Sequence, residues 1–249
     1  MVGVVDSATS PNPLGMRGAL LAGARAAALA PALVLGASYV GFGSLVGAHE
    51  IGLEFALFNT LTAWALPGQV VLVELYLAGS GVLAIMLAVG LANMRLAPMT
   101  VAMMPLVALP GRPTWRLYAS AFFVAVTCWA MTMAQAPNLA RSDRLSWFIG
   151  CSLVLWGASL AGTIVGFYAA AELPAALTLA LVFVNPVYFL LLFLQSTQGA
   201  RDATRLVALL TGGALCVPAH LYSPEWSLLI AGLGGGTVAA LYRLAMVRR

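Results

Sequence analysis

Lysine is absent from this chain, and charge of either sign is scarce. Only 8% of the 249 residues are charged, against roughly 25% in an ordinary soluble domain. Because 62% are hydrophobic, the chain is not a soluble globular enzyme. It is not disordered either, since disordered chains have too little apolar surface to bury. The composition predicts an all-α polytopic membrane protein.

Residues that mark metal centres and catalytic sites are also few. Cys128, Cys151 and Cys216 lie in apolar stretches without paired spacing, which excludes a disulfide framework and a zinc site. His49 and His220 each lack a second ligand nearby in the sequence. No P-loop, HExxH, GxSxG or paired acidic prenyl-chemistry motif occurs. We therefore expect no enzyme activity, no metal and no cofactor.

Proline, glycine and arginine divide the apolar sequence into about eight segments that are long enough to span a bilayer. Residues 1–249 are expected to form a single integral membrane domain, with 1–18 as a cytoplasmic tail. Seven spans result if the second segment does not cross. The expected spans are 26–47, 51–78, 82–105, 117–136, 145–169, 175–196, 203–220 and 224–242.

The arginines predict the orientation, because positive residues collect in cytoplasmic loops. With the amino terminus inside, only Arg112 and Arg116 fall outside and Arg95 falls within the membrane. Both termini are then cytoplasmic. The basic balance of +4 is thereby explained by topology, without a nucleic-acid partner. The arginines assigned to the cytoplasmic side are Arg17, Arg25, Arg141, Arg144, Arg201, Arg205, Arg243, Arg248 and Arg249.

Two of the expected spans contain a proline where a helix would be interrupted. The segment 51–78 would be roughly 42 Å long as a straight helix at about 1.5 Å per residue, too long for a core of about 30 Å. Pro67-Gly68 offers a break there, and Asn185-Pro186 offers a second within 175–196. Exposed backbone must line protein or water inside a membrane. Such broken helices build transporter sites, although a simple kink is the alternative.

Weak internal similarity suggests two related halves. Residues 33–38 resemble residues 153–159, and Glu54 and Glu172 precede the two prolines by 13 and 14 residues. Helices rich in Ala, Leu and Gly match easily by chance, so the repeat stays open. The GxxxG pairs decide nothing for the same reason, because 25 glycines give about two or three such pairs by chance. The pairs are Gly43/Gly47, Gly162/Gly166 and Gly232/Gly236.

Arg95 is the most informative residue inside the membrane. It lies 13 residues from one end of the span 82–105 and 10 from the other, where a charge costs about 2.5–3.5 kcal/mol. It needs an anionic or dipolar partner. Glu74 is not expected to pair with it, because Glu74 lies near the end of its helix. Asn93 and Gln69 are expected at similar depth. The alternative is an arginine that only braces helices through backbone carbonyls.

Three short motifs stand in the order Pro67-Gly68-Gln69, Asn93-Met94-Arg95 and Asn185-Pro186-Val187-Tyr188-Phe189. Together they resemble the AzlC family of branched-chain amino acid permeases, over about residues 20–245. The resemblance implies amino acid export across the bacterial inner membrane, with a small four-helix partner subunit of the AzlD type. Carried over residue by residue, the substrate-binding candidates are Arg95, Asn93, Gln69, Gly68, Pro67 and Asn185.

The chain departs from the family pattern at two places. Leu96 stands where the family often has His or Tyr, and Thr127-Cys128-Trp129 stands where it has Thr-Asp-Glu. The lost acids leave proton coupling and the substrate's identity open. We expect a secondary transporter subunit that exports small neutral, branched-chain amino acids. The alternatives are a non-transporting scaffold or regulatory subunit and a passive channel.

Overall fold

A computed structural model describes residues 12–108, 114–195, 202–222 and 227–247, and these ranges contain helices and no strand. A single 3₁₀ turn, Ala136–Asn138, follows the eighth helix. The helices are α1 (Gly15–Ala27), α2 (Ala30–Ala48), α3 (Leu53–Thr62), α4 (Leu66–Leu77), α5 (Val82–Asn93), α6 (Leu96–Val107), α7 (Thr114–Ala121), α8 (Val126–Gln135), α9 (Arg144–Ala169), α10 (Ala175–Gln195), α11 (Asp202–Tyr222) and α12 (Ser227–Val247).

The all-α membrane class is confirmed, and each expected span corresponds to one helix or to a consecutive pair. Among the described residues, α2 and α9 are each long and apolar enough to cross a membrane. The pair α5–α6 also qualifies when it is taken as one span bent by 46°. The second and fourth expected spans are divided into α3–α4 and α7–α8. Three of the segments expected as single spans are therefore broken or bent.

The chain forms two compact units, residues 1–185 and 186–249. In the first unit α9 lies at the centre, and α1 and α2 pack along it. Glycines permit this packing, because a Cβ on Gly43 would collide with the carbonyl oxygen of Thr163 and one on Gly166 with that of Val40. The buried side chains around this contact are Tyr39, Phe42, Phe148 and Leu155. In the second unit α11 and α12 pack against each other.

The tail expected at 1–18 is shorter than predicted. Its last residues belong to α1, which begins at Gly15 and packs on α9. Residues 1–11 lie outside the described part of the chain. Asp143 fixes the start of α1, because its Oδ2 accepts the N–H of Leu14 at 2.6 Å. Ser142 donates to the other oxygen of Asp143 at 3.3 Å. The carboxylate is buried, so these bonds compensate its loss of water.

The break in the second span is confirmed, and it lies one turn before Pro67, at Ala63–Ala65. Pro67 stands in the first turn of α4, where its missing N–H costs no helical bond. The N–H of Ala63 still bonds the carbonyl of Asn59, at 2.8 Å. Trp64 then takes a positive φ of 28°, which is uncommon for a residue with a side chain. The proline therefore starts the second half-helix rather than forming the gap.

The break between α7 and α8 contains no glycine or proline. The chain leaves α7 in turns closed by the N–H of Phe123 on Ser120 (3.0 Å) and of Val124 on Ala121 (3.1 Å). Contacts from elsewhere in the fold hold this conformation, because the Phe123 ring packs edge-on against Trp64 and Trp156. Tertiary packing therefore overrides a sequence that reads as one continuous span.

The expected interruption at Asn185-Pro186 is wrong for the backbone, because α10 is helical from Ala175 to Gln195. A proline inside a helix removes one hydrogen bond, here to the carbonyl of Val182, and this loss alone kinks a helix without dividing it. The side chains of Asn185 and Pro186 lie outside the described residues. The other divided span in the described part of the chain is α7–α8. The proposed sequence repeat is not supported by a matching break.

Candidate functional site

Three helix interruptions of the first unit meet around one cavity. It is lined by both breaks, by the α5–α6 bend and by α2, and its volume of about 30 Å³ is enough for one or two water molecules. The lining residues are Leu35, Tyr39, Trp64, Ala65, Leu66, Pro67, Arg95, Leu96, Ala125, Val126 and Thr127.

Arg95 contributes the positive charge of this cavity. It stands at the bend, where the N–H of Met94 bonds Leu91 at 3.2 Å and that of Ala97 bonds Met94 at 3.1 Å. Pro98 lacks the N–H that would otherwise bond the Met94 carbonyl. The sequence itself therefore accounts for the bend. Within the described residues, the Arg95 guanidinium has no hydrogen-bond or ion-pair partner. A charge in this position is available to a ligand.

The amino-terminal ends of α4 and α8 both meet the cavity, and neither has a side-chain cap. The first helical bonds are donated by Gln69 to Ala65 at 3.1 Å and by Trp129 to Ala125 at 2.8 Å. Within the described residues, the preceding N–H groups have no acceptor. These groups belong to Leu66, Gly68, Val126, Thr127 and Cys128.

A helix amino terminus carries about half a positive elementary charge and free N–H donors, which is why anions bind there. Two such ends and the Arg95 guanidinium lie around the same cavity. Leu35, Leu66, Leu96 and Val126 supply an apolar wall beside them. The arrangement can therefore bind a small anion that carries an aliphatic group.

An aromatic pair closes the cavity on the α9 side. The indole N–H of Trp64 donates to the Ser159 hydroxyl at 2.9 Å, and Ser159 donates to the Leu155 carbonyl at 2.9 Å. Tyr39 is buried and also hydrogen-bonds Ser159. These bonds hold Trp64 in its uncommon backbone conformation, and they tie the α3–α4 break to α9.

The structure places some of the residues singled out in the sequence at the cavity and others away from it. Pro67 and Arg95 line the cavity. Asn93 lies behind the α4 end, because a Cβ added to Gly68 would meet its Nδ2 at 2.6 Å. Gln69 is fully buried and does not line the cavity. Asn185 has its side chain outside the described residues.

Gln69 belongs to a buried polar network between α3, α4 and α9. Thr163 gives its only hydroxyl proton to the Ser159 carbonyl at 2.9 Å. Thr60, which lies 3.1 Å from the Thr163 oxygen, must therefore donate to Thr163. Thr60 then accepts from Gln69 Nε2 at 3.4 Å. The Oε1 of Gln69 and the Oδ1 of Asn93 are left without a partner in the described part of the chain.

Sequence reasoning missed the contribution of Tyr39 and Trp64, and it named the first turn of α8 only through the family resemblance. Thr127 of that turn lines the cavity, whereas Cys128 is buried in the core cluster beside Cys151. The break before α8 carries no proline or glycine, so no local signal pointed to it. Trp64 stands three residues before Pro67, which in retrospect marks it as part of the gap.

Comparison with known proteins identifies one family. A family described as AzlC protein matches residues 31–173, which include Gln69, Asn93 and Arg95 and end before Asn185. No curated protein matches the chain, and no solved structure does. The matched region holds every residue that lines the cavity.

Proposed function

Because the chain belongs to the AzlC family, whose members are connected with membrane transport, we propose that it is the large subunit of a secondary transporter. In this proposal it exports small neutral amino acids, with branched-chain ones foremost. The proposed location is the bacterial inner membrane. Since the sequence has no nucleotide-binding motif, an ion or solute gradient drives the transport.

One observation carries this proposal: the unpartnered Arg95 guanidinium shares a cavity with two uncapped helix ends. A carboxylate satisfies such a site, because a guanidinium grips it through two parallel hydrogen bonds and the free N–H groups add further donors. The aliphatic side chain then lies against Leu35, Leu66, Leu96 and Val126. The convergence of broken helices on a polar site is typical of transporters.

The small volume of the cavity fits a transport cycle. An aliphatic amino acid does not fit into about 30 Å³, so the cavity must open toward one side to load and toward the other to release. The two breaks and the 46° bend are positions where half-helices can move without disrupting a continuous helix. We therefore propose that the half-helices move at these three positions when the site opens to one side of the membrane and then to the other.

The test is flux in proteoliposomes, with the chain alone and together with a small four-helix subunit of the AzlD type. Purification in mild detergent is expected to retain that subunit. Labelled valine, leucine, isoleucine and methionine are expected to show saturable flux only when both subunits are present. Fully competent transport by the isolated chain would contradict the requirement for a partner.

The same experiment separates the two alternative functions. A scaffold or regulatory subunit gives neither flux nor binding of any of the four amino acids. A passive channel gives flux that rises linearly with concentration. Saturable flux that one labelled amino acid inhibits for another supports the transporter.

The orientation gives a further prediction, which rests on the arginine distribution. A reporter fused after Arg249 is expected to be active only as a cytoplasmic fusion, since nine arginines fall on that side and two on the other. Paired cytoplasmic and periplasmic reporters on the same chain provide the measurement. Periplasmic activity would mean an odd number of crossings, most simply because the segment 51–78 does not cross.

A further inference from the structure

We infer that three sulfur atoms of the first unit form a binding site for a soft monovalent metal ion of the Cu(I) class. They belong to Cys128 and Met131 of α8 and to Cys151 of α9. This sulfur cluster shares no residue with the lining of the cavity. The inference goes beyond the proposed transport function and does not depend on it.

Cys151 contacts both other members of the sulfur cluster. Its thiol lies 3.7 Å from the Met131 thioether and within hydrogen-bond distance of the Cys128 thiol. Cys128 and Met131 stand three positions apart on α8, so they lie on one face of that helix. The fold thus brings together two cysteines of different helices, which their spacing in the sequence does not indicate.

The distance between the sulfur atoms suits a single bound ion. A metal–sulfur bond is about 2.3 Å long, so three sulfur atoms in a plane around one ion lie about 4 Å from each other. The 3.7 Å between Cys151 and Met131 is close to this value. The ion therefore requires only small movements of these two side chains.

The donor atoms determine the class of ion. Thiolate and thioether ligands select soft ions such as Cu(I). Cys128 stands in the first turn of α8, where the helix end favours a negative charge, so we assign the thiolate to it. When the ion binds, the S–H bond of Cys128 breaks and its proton passes to the buffer, while no electron is transferred.

The charge of the ion follows from burial. Cys128 and Cys151 are fully buried, where a net charge is costly. One thiolate neutralises one monovalent ion, and the Cys151 thiol and the Met131 thioether then coordinate as neutral donors. Structural zinc has four tetrahedral ligands, one more than the sulfur cluster supplies. We therefore expect a soft monovalent ion to bind more tightly than zinc.

The thioether is essential to the proposed site. Among the residues that the structure describes, no three His, Cys, Asp or Glu side chains come together to hold a metal. Met131 is thus the third ligand beside the two cysteines. An ion can approach from the cavity, because Cys128 directly follows Thr127, which lines it.

Binding of Ag⁺ to the purified full chain tests the inference, since Ag⁺ has the same charge and softness as Cu(I) and is stable in air. Cys216→Ser serves as the parent, because the chain has three cysteines and this change on α11 leaves only the two thiols of the sulfur cluster. After desalting, the folded parent is expected to retain one Ag⁺ per chain. Its melting temperature should rise by about 5–10 °C when free Ag⁺ is about a hundred times Kd.

Substitutions in this parent test each ligand. Cys128→Ala and Cys151→Ala are each expected to abolish retention of Ag⁺. Met131→Leu keeps both thiols and about the same volume, so it should fold, and it is expected to weaken binding at least about tenfold. X-ray absorption at the silver edge should show three sulfur neighbours in the parent and two in Met131→Leu. Met133→Leu, two positions further on α8 and therefore on another face, is the matched control and should bind like the parent.

Three results would overturn the inference. The first is a folded parent that retains no Ag⁺. The second is equal retention by the parent and the two alanine variants, and the third is equal affinity of Met131→Leu and the parent. Tighter binding of Zn²⁺ than of Ag⁺ would contradict the assigned class of ion. None of these measurements uses flux, so their outcome is independent of the proposed function.

Discussion

Replacing Arg95 with lysine is expected to lower the apparent affinity for transported amino acids by roughly ten- to a hundredfold, and replacing it with alanine to abolish saturable transport. Lysine keeps the charge but lacks the planar fork that grips a carboxylate through two hydrogen bonds. The loss corresponds to about 1.5–3 kcal/mol, the usual contribution of a hydrogen bond to a charged group. Flux and melting temperature are measured on the same preparations.

Arg116→Lys is the matched control for this prediction. Arg116 lies on the exposed side of α7, next to the Trp115 ring, and does not line the cavity. Asn93→Ala is expected to have a smaller effect than either Arg95 variant, since Asn93 lies behind Gly68. If Arg95 only braces helices, both of its variants will lower stability and expression while the surviving protein keeps its affinity. A destabilised Arg95→Lys protein with wild-type affinity would contradict the assignment of Arg95 to a substrate site.

The second large effect is expected from Gly166→Ala, which should reduce the stability of the whole first unit. The added Cβ would collide with the carbonyl oxygen of Val40, which is backbone and cannot rotate away. The helices α2 and α9 must then separate, and overpacking of this kind costs about 1–3 kcal/mol. The melting temperature in detergent is expected to fall by about 2–4 °C for each kcal/mol.

Gly232→Ala provides the matched control on α12, because a Cβ there meets nothing within 4 Å. Alanine also favours a helix over glycine by about 0.8–1.0 kcal/mol, so this variant should melt at the wild-type temperature or slightly above it. Equal losses from the two substitutions would show that the α2–α9 crossing does not depend on close backbone approach.

The comparison of these glycines shows what a sequence can and cannot predict. Spacing alone could not separate Gly162/Gly166, which meets the backbone of α2, from Gly232/Gly236, which meets nothing. The GxxxG pattern records only that one helix face is small, and it contains no information on whether a partner helix is present. Packing partners that are distant in the chain decide the outcome.

The sequence predicted those residues of the candidate site whose side chain has a free-energy cost wherever it lies in a membrane helix. Arg95 stands out because a charge within a long apolar segment is expensive wherever it lies, and Pro67 because it cannot continue a helix. Trp64, Tyr39 and Thr127 are ordinary residues of apolar segments, so only the fold brings them to the cavity. Gln69 was expected at the site on its depth, yet it faces Thr60, because depth does not fix the side of a helix.

The central position of α9 also has a consequence for the order in which the protein is made. The bond between Leu14 and Asp143, the residue before α9, joins residues 129 positions apart. The bond between Ser44 of α2 and Thr178 of α10 joins residues 134 positions apart. At about 5–20 residues per second, α1 and α2 leave the ribosome several seconds before α9 is complete. During that interval the α2 glycine Gly43, which packs on Thr163 of α9, lacks its partner helix. Assembly of the contacts between α9 and the first two helices therefore waits for the middle of the chain.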